Sequence, residues 1–486
     1  MYDLTIGLEV HLKLNSPNKL FCQCANIQEF DDLEPNTHIC PTCMGQPGAL
    51  PVLNREPLEK ALILWDALWC TIQEYSSFDR KSYMYPDLPM AYQITQQYHP
   101  TCINGAVSFY VDKEYTQNHT VRIDNAHIET DTWKSTREGD DVYLDYNRAG
   151  TPLIEIVTAP DFSSIDQVIS FLKELQRIAK YIDVSDAQME SGQMRADVNI
   201  SLKPTWSETL WNRVELKNMN SFSSIRAWIT YEVERQTAVL SWWWTIDQET
   251  RGRDDATKSS YVMRSKENAM DYRYMPEPDL PTLHCGNEFV SHVLDHKSNQ
   301  LPYDLITQRK NDFGFNKEYI NWLLISPEVT QWFLSVLALF NHGEDQSNEL
   351  RKEIAKRIVW PIAKRSWDER SIQDIPFSHE QYKDFIDAIM DKSISSSQAK
   401  IVFDDMLDHW HTVQESIDYH WFKPIDQETI QLRVDELFEQ KPDILEEMKG
   451  GSRKQQWFVI GQIMKRSQGS ADPAMIAKAI TVRVDA

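Results

Sequence analysis

Four cysteines stand close together near the start of the chain: Cys22 and Cys24 in "CQC", then Cys40 and Cys43 in "CPTC". Four thiolates at C-x-C…C-x2-C spacing suit tetrahedral zinc, and a closed four-thiolate site is structural rather than catalytic. Four reduced, packed cysteines are the alternative. In "IGLEVHLKL", Glu9 and His11 are two residues apart. On a strand they share one face, with Leu8 and Val10 on the other. A carboxylate beside an imidazole either holds a hard divalent ion or forms a hydrogen bond. "HIETD" repeats the alternation with His127, Glu129 and Asp131. "MESGQMRADVNISLKP" and "RVELKNMNSF" add Glu190, Arg195, Asp197, Asn199, Glu215, Lys217, Asn218 and Asn220. Polar groups this dense in strand-like segments are costly to bury without partners. They line either a solvated sheet face or a site for Mg²⁺ and phosphate, with carboxylates for the metal and Lys, Arg and Asn for phosphate oxygens.

The elements that position these residues read as strands up to about residue 295. "VSFYVD", "VYLDYN" and "PLIEIVTAP" are short β-branched and aromatic runs broken by Pro, Asn and Asp. One helix is clear. Ser164 caps "IDQVISFLKELQRIAKYI", Gln167 completes a capping box, and Ile165, Val168, Ile169, Leu172 and Leu175 form its apolar stripe. From about residue 298 the pattern turns helical, as in "EQYKDFIDAIMDK" and "SSSQAKIVFDDMLDHW". The fold class is therefore α+β: a mainly antiparallel-sheet body, a helical middle and a small helical tail.

Acidic residues exceed basic ones, 73 against 50, for a net charge of −23. That balance argues against general adhesion to nucleic acid. A local exception lies in 449–486, where Lys449, Arg453, Lys454, Lys465, Arg466, Lys478 and Arg483 face only Asp472 and Asp485. A solvated face and an RNA contact both fit that run. No apolar run is long enough to span a membrane, and the N-terminus has no signal or transit character. The expected location is the cytoplasm, where one cysteine cluster points to metal rather than disulfides. There is no P-loop, no G-x-G-x-x-G, no G-x-S-x-G elbow and no kinase signature set.

Long ordered segments resemble a known family. "IGLEVHLKL", "CPTCMGQPGALPVLN", "FDRKSYMYPDLPMAYQITQ", "DYNRAGTPLIEIVTAPD", "ELKNMNSF", "YEVERQ", "MRSKENAMDYRYMPEPDLP" and "IGQIMKRSQGSADP" look like the B subunits of tRNA-dependent amidotransferases, GatB of the GatCAB complexes. The resemblance runs over essentially the whole chain. It implies a glutamine-hydrolysing, ATP-dependent carbon–nitrogen ligase of translation. In that family the B subunit phosphorylates the side-chain carboxylate of Glu-tRNA(Gln) or Asp-tRNA(Asn) with ATP and Mg²⁺. Ammonia from the glutaminase, which is the A subunit, displaces the phosphate, and the C subunit completes the heterotrimer. Carried over residue by residue, the resemblance makes Glu9, His11 and Glu129 metal-binding, with Glu215 a further ligand. It places Asp197, Asn199 and Lys217 near phosphate, and Arg195 with Lys217 on the ATP phosphates. It implies a cradle-shaped catalytic body at 1–295 with the four-cysteine zinc knuckle, a helical domain at 296–415 and a tRNA-gripping tail at 416–486. The rival reading is a tRNA-binding protein that kept knuckle and tail but lost the kinase; Glu9, His11, Glu129 and Glu215 argue against that loss.

The departures from the family run in one direction. Trp133, Trp206, Trp211, Trp228, Trp243, Trp244, Trp410, Trp421 and Trp457 stand where the family has glycine, with Trp65 and Trp69 less clear cases. Average usage of about 7% predicts roughly 34 glycines for this length. The chain holds 15, and its 16 tryptophans are close in number to the shortfall. Some bacteria read UGA as glycine, and a common alternative table reads it as tryptophan. Wrong-table translation predicts that several of these rings fall in turns or lie exposed, because glycine serves positive φ and close approach. Genuine enrichment for stacking RNA bases is the competing account.

Overall fold

The computed structural model describes the chain except residues 1, 29–32, 87, 89, 113, 114, 243, 255–258, 266–271, 296–300, 314–318, 321, 322, 325, 326, 341–348, 358–374, 421, 423–426, 450–452, 468–470, 472, 485 and 486. Its contacts divide it into two units, Met1–Gln308 and Arg309–Ala486.

The first unit is built on a nine-stranded sheet. Its strands are β1 (Tyr2–Lys13), β2 (Thr71–Ile72), β3 (Cys102–Tyr110), β4 (Asn118–Thr130), β5 (Pro152–Thr158), β6 (Met194–Pro204), β7 (Val214–Met219), β8 (Glu249–Asp254) and β9 (Ser259–Ser265). The order is β9-β8-β7-β6-β1-β5-β4-β3-β2. Neighbours run antiparallel except β7 and β8. β1 lies at the centre and alternates strictly. Ile6, Leu8, Val10 and Leu12 are at most 1% exposed, while Glu9 and His11 look the other way. Three helices share the core behind that apolar face: α1 (Arg55–Ala67), α2 (Ile165–Tyr181) and α3 (Phe222–Ser241). Leu62, Leu172, Leu175, Ile178 and Ile229 join Leu8 and Val10 in one cluster. Each such side chain is worth roughly 1.5–3 kcal/mol when fully buried.

The α2 stripe is as expected, and Ser164 accepts from the Gln167 backbone N–H at 3.2 Å. The expected capping box is corrected in one detail. The Gln167 side chain reaches back to the backbone N–H of Ser163, at 2.7 Å, rather than to that of the cap residue. Helices α1 and α3 carry no such clear signal in the sequence. The run "ALILW" in α1 is almost continuously apolar, which hides the helical period.

In the second unit, helices His379–Met390, Ser396–His409 and Val413–Tyr419 each open with a capping box, at Ser378, Ser395 and Thr412. Helices Gln427–Gln440, Pro442–Lys449, Arg453–Arg466 and Pro473–Val484 pack around their own cluster, with Ile430, Val434, Leu437, Val459, Ile463 and Ile480 at its centre. Among the described residues no helix is long and apolar enough to cross a membrane.

The tryptophans divide. Trp206, Trp244, Trp410 and Trp457 are 83%, 72%, 76% and 72% exposed, and Trp211 is exposed in a loop. Trp206 sits in a turn. Trp410 ends the helix Ser396–His409 at φ 61°, the left-handed conformation that favours glycine. Trp69, after α1, has φ 55°. Trp133 and Trp228 are buried. The Trp133 and Tyr146 ring centroids are 3.4 Å apart. Aromatic pairs settle at roughly 4.5–7 Å, so this contact is crowded. Trp243 and Trp421 lie outside the described residues.

Candidate active site

The polar face of the sheet collects the residues that alternation singled out. Register does the work. Glu9 pairs with Asp197 on β6, and His11 pairs with Arg195 on β6 and Glu155 on β5. Glu155 in turn pairs with His127 on β4, and Asn199 with Glu215 on β7. The side chains therefore form rows across four to five strands on one face.

His11 is the hub. Its Nε2 lies 3.1 Å from Glu129 Oε1, 3.4 Å from Glu155 Oε2 and 3.8 Å from Glu9 Oε1. Two overlapping sets, Glu9–His11–Glu155 and His127–Glu129–Glu155, bring their ligand atoms within 4.8 Å of one another. Glu129 is 1% exposed, and its Oε2 is buried without a hydrogen-bond partner. A carboxylate oxygen in that state is costly unless a cation meets it. The donor set, carboxylate oxygens with one imidazole, fits a hard divalent ion. The neighbouring charge of Glu155, then burial, raises the Glu9 carboxyl to about 7. Burial alone would lower the His11 imidazole, but Glu129 and Glu155 outweigh it and hold it well above its ordinary value. Burial opposes ionisation of Glu155, yet His127, His11 and Lys81 keep its carboxyl low.

Glu215 lines one cavity with Glu9 and Glu155 but belongs to neither set. It accepts from Thr250 Oγ1 at 2.7 Å and lies 3.2 Å from Lys217 Nζ. Lys217 also lies 3.3 Å from Asp197. Arg195 pairs with Asp131 at 3.0 Å, and Arg148 approaches the same carboxylate at 3.5 Å. Burial would raise the Asp131 carboxyl, but the two guanidinium groups hold it below its usual range. Glu190 is exposed in the turn before β6 and lines neither cavity.

Two residues lining the site are not evident from sequence spacing. Lys81 enters from a separate three-stranded sheet, where Asp79–Ser82 pairs with Tyr92–Thr95 and Met275–Pro276. It lines two cavities with Glu9, Lys217 and Tyr272. Burial would lower its ammonium, but Glu155 and Glu129 raise it well above the ordinary value. Its signal was the cation in "FDRKSYMYP". Glu155 had a clearer one, a carboxylate set between Ile154 and Ile156 in an otherwise apolar strand.

Cys22, Cys24, Cys40 and Cys43 also come together, with sulfurs within 4.8 Å of one another. Asn147 fixes the loop by accepting from the N–H groups of Thr37 and His38 at 2.9 and 2.8 Å. Lys19 Nζ is 3.7 Å from Cys43 Sγ. A hydrogen bond from Cys22 pulls the Cys43 thiol down to about 5 against burial. One thiol already near ionisation, beside three converging sulfurs, fits a thiolate-binding metal.

Comparison with known proteins agrees with this architecture. Residues 4–291 match the family described as the GatB/GatE catalytic domain, and residues 341–484 match the GatB domain. The chain is 38% identical to the B subunit of the aspartyl/glutamyl-tRNA(Asn/Gln) amidotransferase of Symbiobacterium thermophilum, covering 99% of this chain and 97% of that one. It is 36% identical to the proteins of the same name from Lachnospira eligens and Persephonella marina, with 98% of each chain covered. By catalytic domain, C-terminal domain and full-length relatives alike, the chain belongs to the GatB family of tRNA-dependent amidotransferase B subunits.

Proposed function

We propose that this chain is the kinase and transamidase component of an amidotransferase heterotrimer, alongside the A and C subunits. It phosphorylates the side-chain carboxylate of Glu-tRNA(Gln) or Asp-tRNA(Asn) with ATP, and ammonia from the glutaminase turns the acyl phosphate into an amide. The observation that carries this reading is the buried Glu129 carboxylate beside His11, Glu9 and Glu155, flanked by Lys81 and Lys217. A carboxylate is a poor electrophile, and an acyl phosphate is a good one. Mg²⁺ held by Glu9, His11, Glu129 and Glu155 would supply charge neutralisation on the phosphates. Glu215 would add a further ligand from the same cavity as Glu9 and Glu155, and it also places Lys217. Asp197 and Asn199 flank the phosphoryl path, and Arg195 meets the ATP phosphates from its anchor on Asp131. Catalysis is then chiefly positioning and electrostatic stabilisation. The assembled complex should release ADP from ATP only when misacylated tRNA and Mg²⁺ are both present, which a quenched-flow assay reads directly. ADP release with neither requirement would sink the assignment.

The four-cysteine loop is read as a structural Zn²⁺ site. Purified protein should carry one Zn²⁺ per chain by elemental analysis, and Cys40→Ser with Cys43→Ser should remove it and expose the loop to proteases. A metal-free, protease-resistant loop in the unaltered protein would count against zinc. The exposed Phe458, with Lys441 5.0 Å over its ring, supports a tRNA-contacting surface at 416–486.

Positions such as 410 are read as glycine in the source organism. A non-glycine residue in the left-handed region costs roughly 1–2 kcal/mol. Trp410→Gly should therefore raise stability by about 1 kcal/mol, seen as a higher urea midpoint with an unchanged slope. The native peptide over 401–422 should carry glycine masses at 410 and 421. Tryptophan masses there would make the substitutions real.

A further inference from the structure

A single buried carboxylate clamps the small sheet that delivers Lys81. Glu277 has no exposed side-chain surface, and it takes the Arg80 guanidinium in a fork, Nε to Oε2 at 2.8 Å and Nη2 to Oε1 at 2.8 Å. Asp279 meets the same guanidinium at 3.0 Å, and Arg80 lies 4.3 Å over the Tyr92 ring. The fork joins two segments. One is the strand Asp79–Ser82. The other is the strap 272–277, whose Met275 and Pro276 pair with Arg80 and Asp79. Asp79 ties the strand down further by accepting from the backbone N–H groups of Gln97 and Tyr98 at 2.8 and 2.9 Å.

Neighbours on a strand face opposite ways. Arg80 turns to the fork, and Lys81 lines the two cavities of the polar face. The strap reaches the same cavities. Arg273 has φ 43°, in the left-handed region that residues other than glycine seldom adopt. Such strain persists only where the surroundings hold it, and the fork grips the same strap. Tyr272 and Tyr274, on either side of Arg273, both line the 220 Å³ cavity, with ring centroids 5.9 Å apart. Lys81 Nζ lies 5.1 Å over the Tyr272 ring. Among the described residues no hydrogen bond or ion pair fixes that ammonium, and Glu155 and Glu129 act on it through space. These two carboxylates are also read as metal ligands. An ion bound there takes up the charge that would draw Lys81, which leaves the ring to hold it.

We propose that Tyr272 and Glu277 are positioning residues for Lys81: the Tyr272 ring holds the ammonium toward the cavities, and the Glu277 carboxylate, through Arg80, holds the ring. The proposal rests on the reading of this site as a kinase, in which Lys81 balances charge on the transferred phosphoryl group. The face of an aromatic ring attracts an ammonium within about 6 Å, and more strongly away from water. A lysine is a point charge on a flexible stem, so it needs a fixed partner to keep one position. An arginine fork on a carboxylate gives direction as well as attraction, which suits it to anchor the strap.

Steady-state ADP release by the assembled heterotrimer tests the linkage. Tyr272 is half-buried, so Tyr272→Leu should keep the fold. It should lower kcat about tenfold and leave KM for ATP and for Glu-tRNA(Gln) within about twofold, the mark of an interaction made in the transition state. Tyr272→Phe, which keeps the ring, should recover most of the loss. Glu277→Gln keeps the size but not the charge and should give a similar fall in kcat. In a Lys81→Gln background neither substitution should lower kcat further, because the residue they act through is gone. Pulse labelling with acetic anhydride, read by mass spectrometry, follows the ammonium without turnover. Lys81 should react severalfold faster in Tyr272→Leu and in Glu277→Gln, while Lys217, which keeps Asp197 and Glu215, reacts as before. Should Glu277→Gln fail to assemble, Arg80→Lys, which keeps the charge and loses the fork, takes its place. Losses that add fully in the Lys81→Gln background, Lys81 labelling unchanged by Tyr272→Leu, or an equal rise at both lysines overturns the proposal. A complex that never releases ADP condemns the kinase reading alone, and the labelling still decides whether ring and clamp hold Lys81.

Discussion

Glu9→Gln combined with His11→Ala should lower transamidation by about a thousandfold or more while leaving tRNA affinity unchanged. Charge stabilisation by a bound metal is worth several kcal/mol of barrier, and each 1.36 kcal/mol is about tenfold in rate. The double variant strips two donors from the cluster. Glu129 and Glu155 remain but lose the imidazole between them. The same groups set a pH dependence. A proton on Glu9 or His11 competes with a cation for the same lone pairs. Both groups hold protons more tightly than usual, Glu9 up to about 7. Metal affinity should therefore weaken as pH falls through about 7 and strengthen as it rises. Titration of the complex with Mn²⁺, followed by electron paramagnetic resonance at several pH values, reads this sign. Transamidation that survives the double substitution with unaltered tRNA binding would falsify the assignment of the metal site.

Asp131→Ala should cost about 3 kcal/mol of stability, measured by urea unfolding. The Asp131 side chain is 9% exposed and lies against two guanidinium groups. Removing one partner of a buried charge cluster costs roughly 3–5 kcal/mol, because the charges left behind lose their compensation. The low end applies here, since Arg148 and Arg195 are 30% and 35% exposed and water recovers part of the loss. The sign with pH follows from the lowered carboxyl. The contribution is fully present above the unfolded aspartate value and is lost as pH falls through the folded one. Freed from Asp131, Arg195 no longer holds one position in the cavity it lines with Glu9 and His11, so the nucleotide KM should rise as well. A variant with the unaltered urea midpoint would show that the two arginines are held by other contacts.

Much of this site was legible because β-strands alternate. Glu9 with His11, and His127 with Glu129 and Asp131, each revealed a face from spacing two alone. What the spacing left open was which strands lie side by side. That is a matter of long-range register, so the lone carboxylate Glu155 between two isoleucines could not be placed directly across from His11. Lys81 is harder to find, since a different sheet delivers it and no local pattern points to that approach. Glu215 groups with the metal ligands by resemblance, and what the sequence left open is that register sets it beside Asn199 and within reach of Lys217. The cysteine cluster was readable because its two short arms bring each pair together locally.

The rows of side chains across β6, β1, β5 and β4 make the centre of this protein intolerant of small insertions and deletions. Losing one residue from the first half of β1 would present Leu8 and Val10 to the cavities and press Glu9 and His11 into the core. Loops that do not enter these rows carry no such constraint of length. In the central strand, length changes by a single residue are closed.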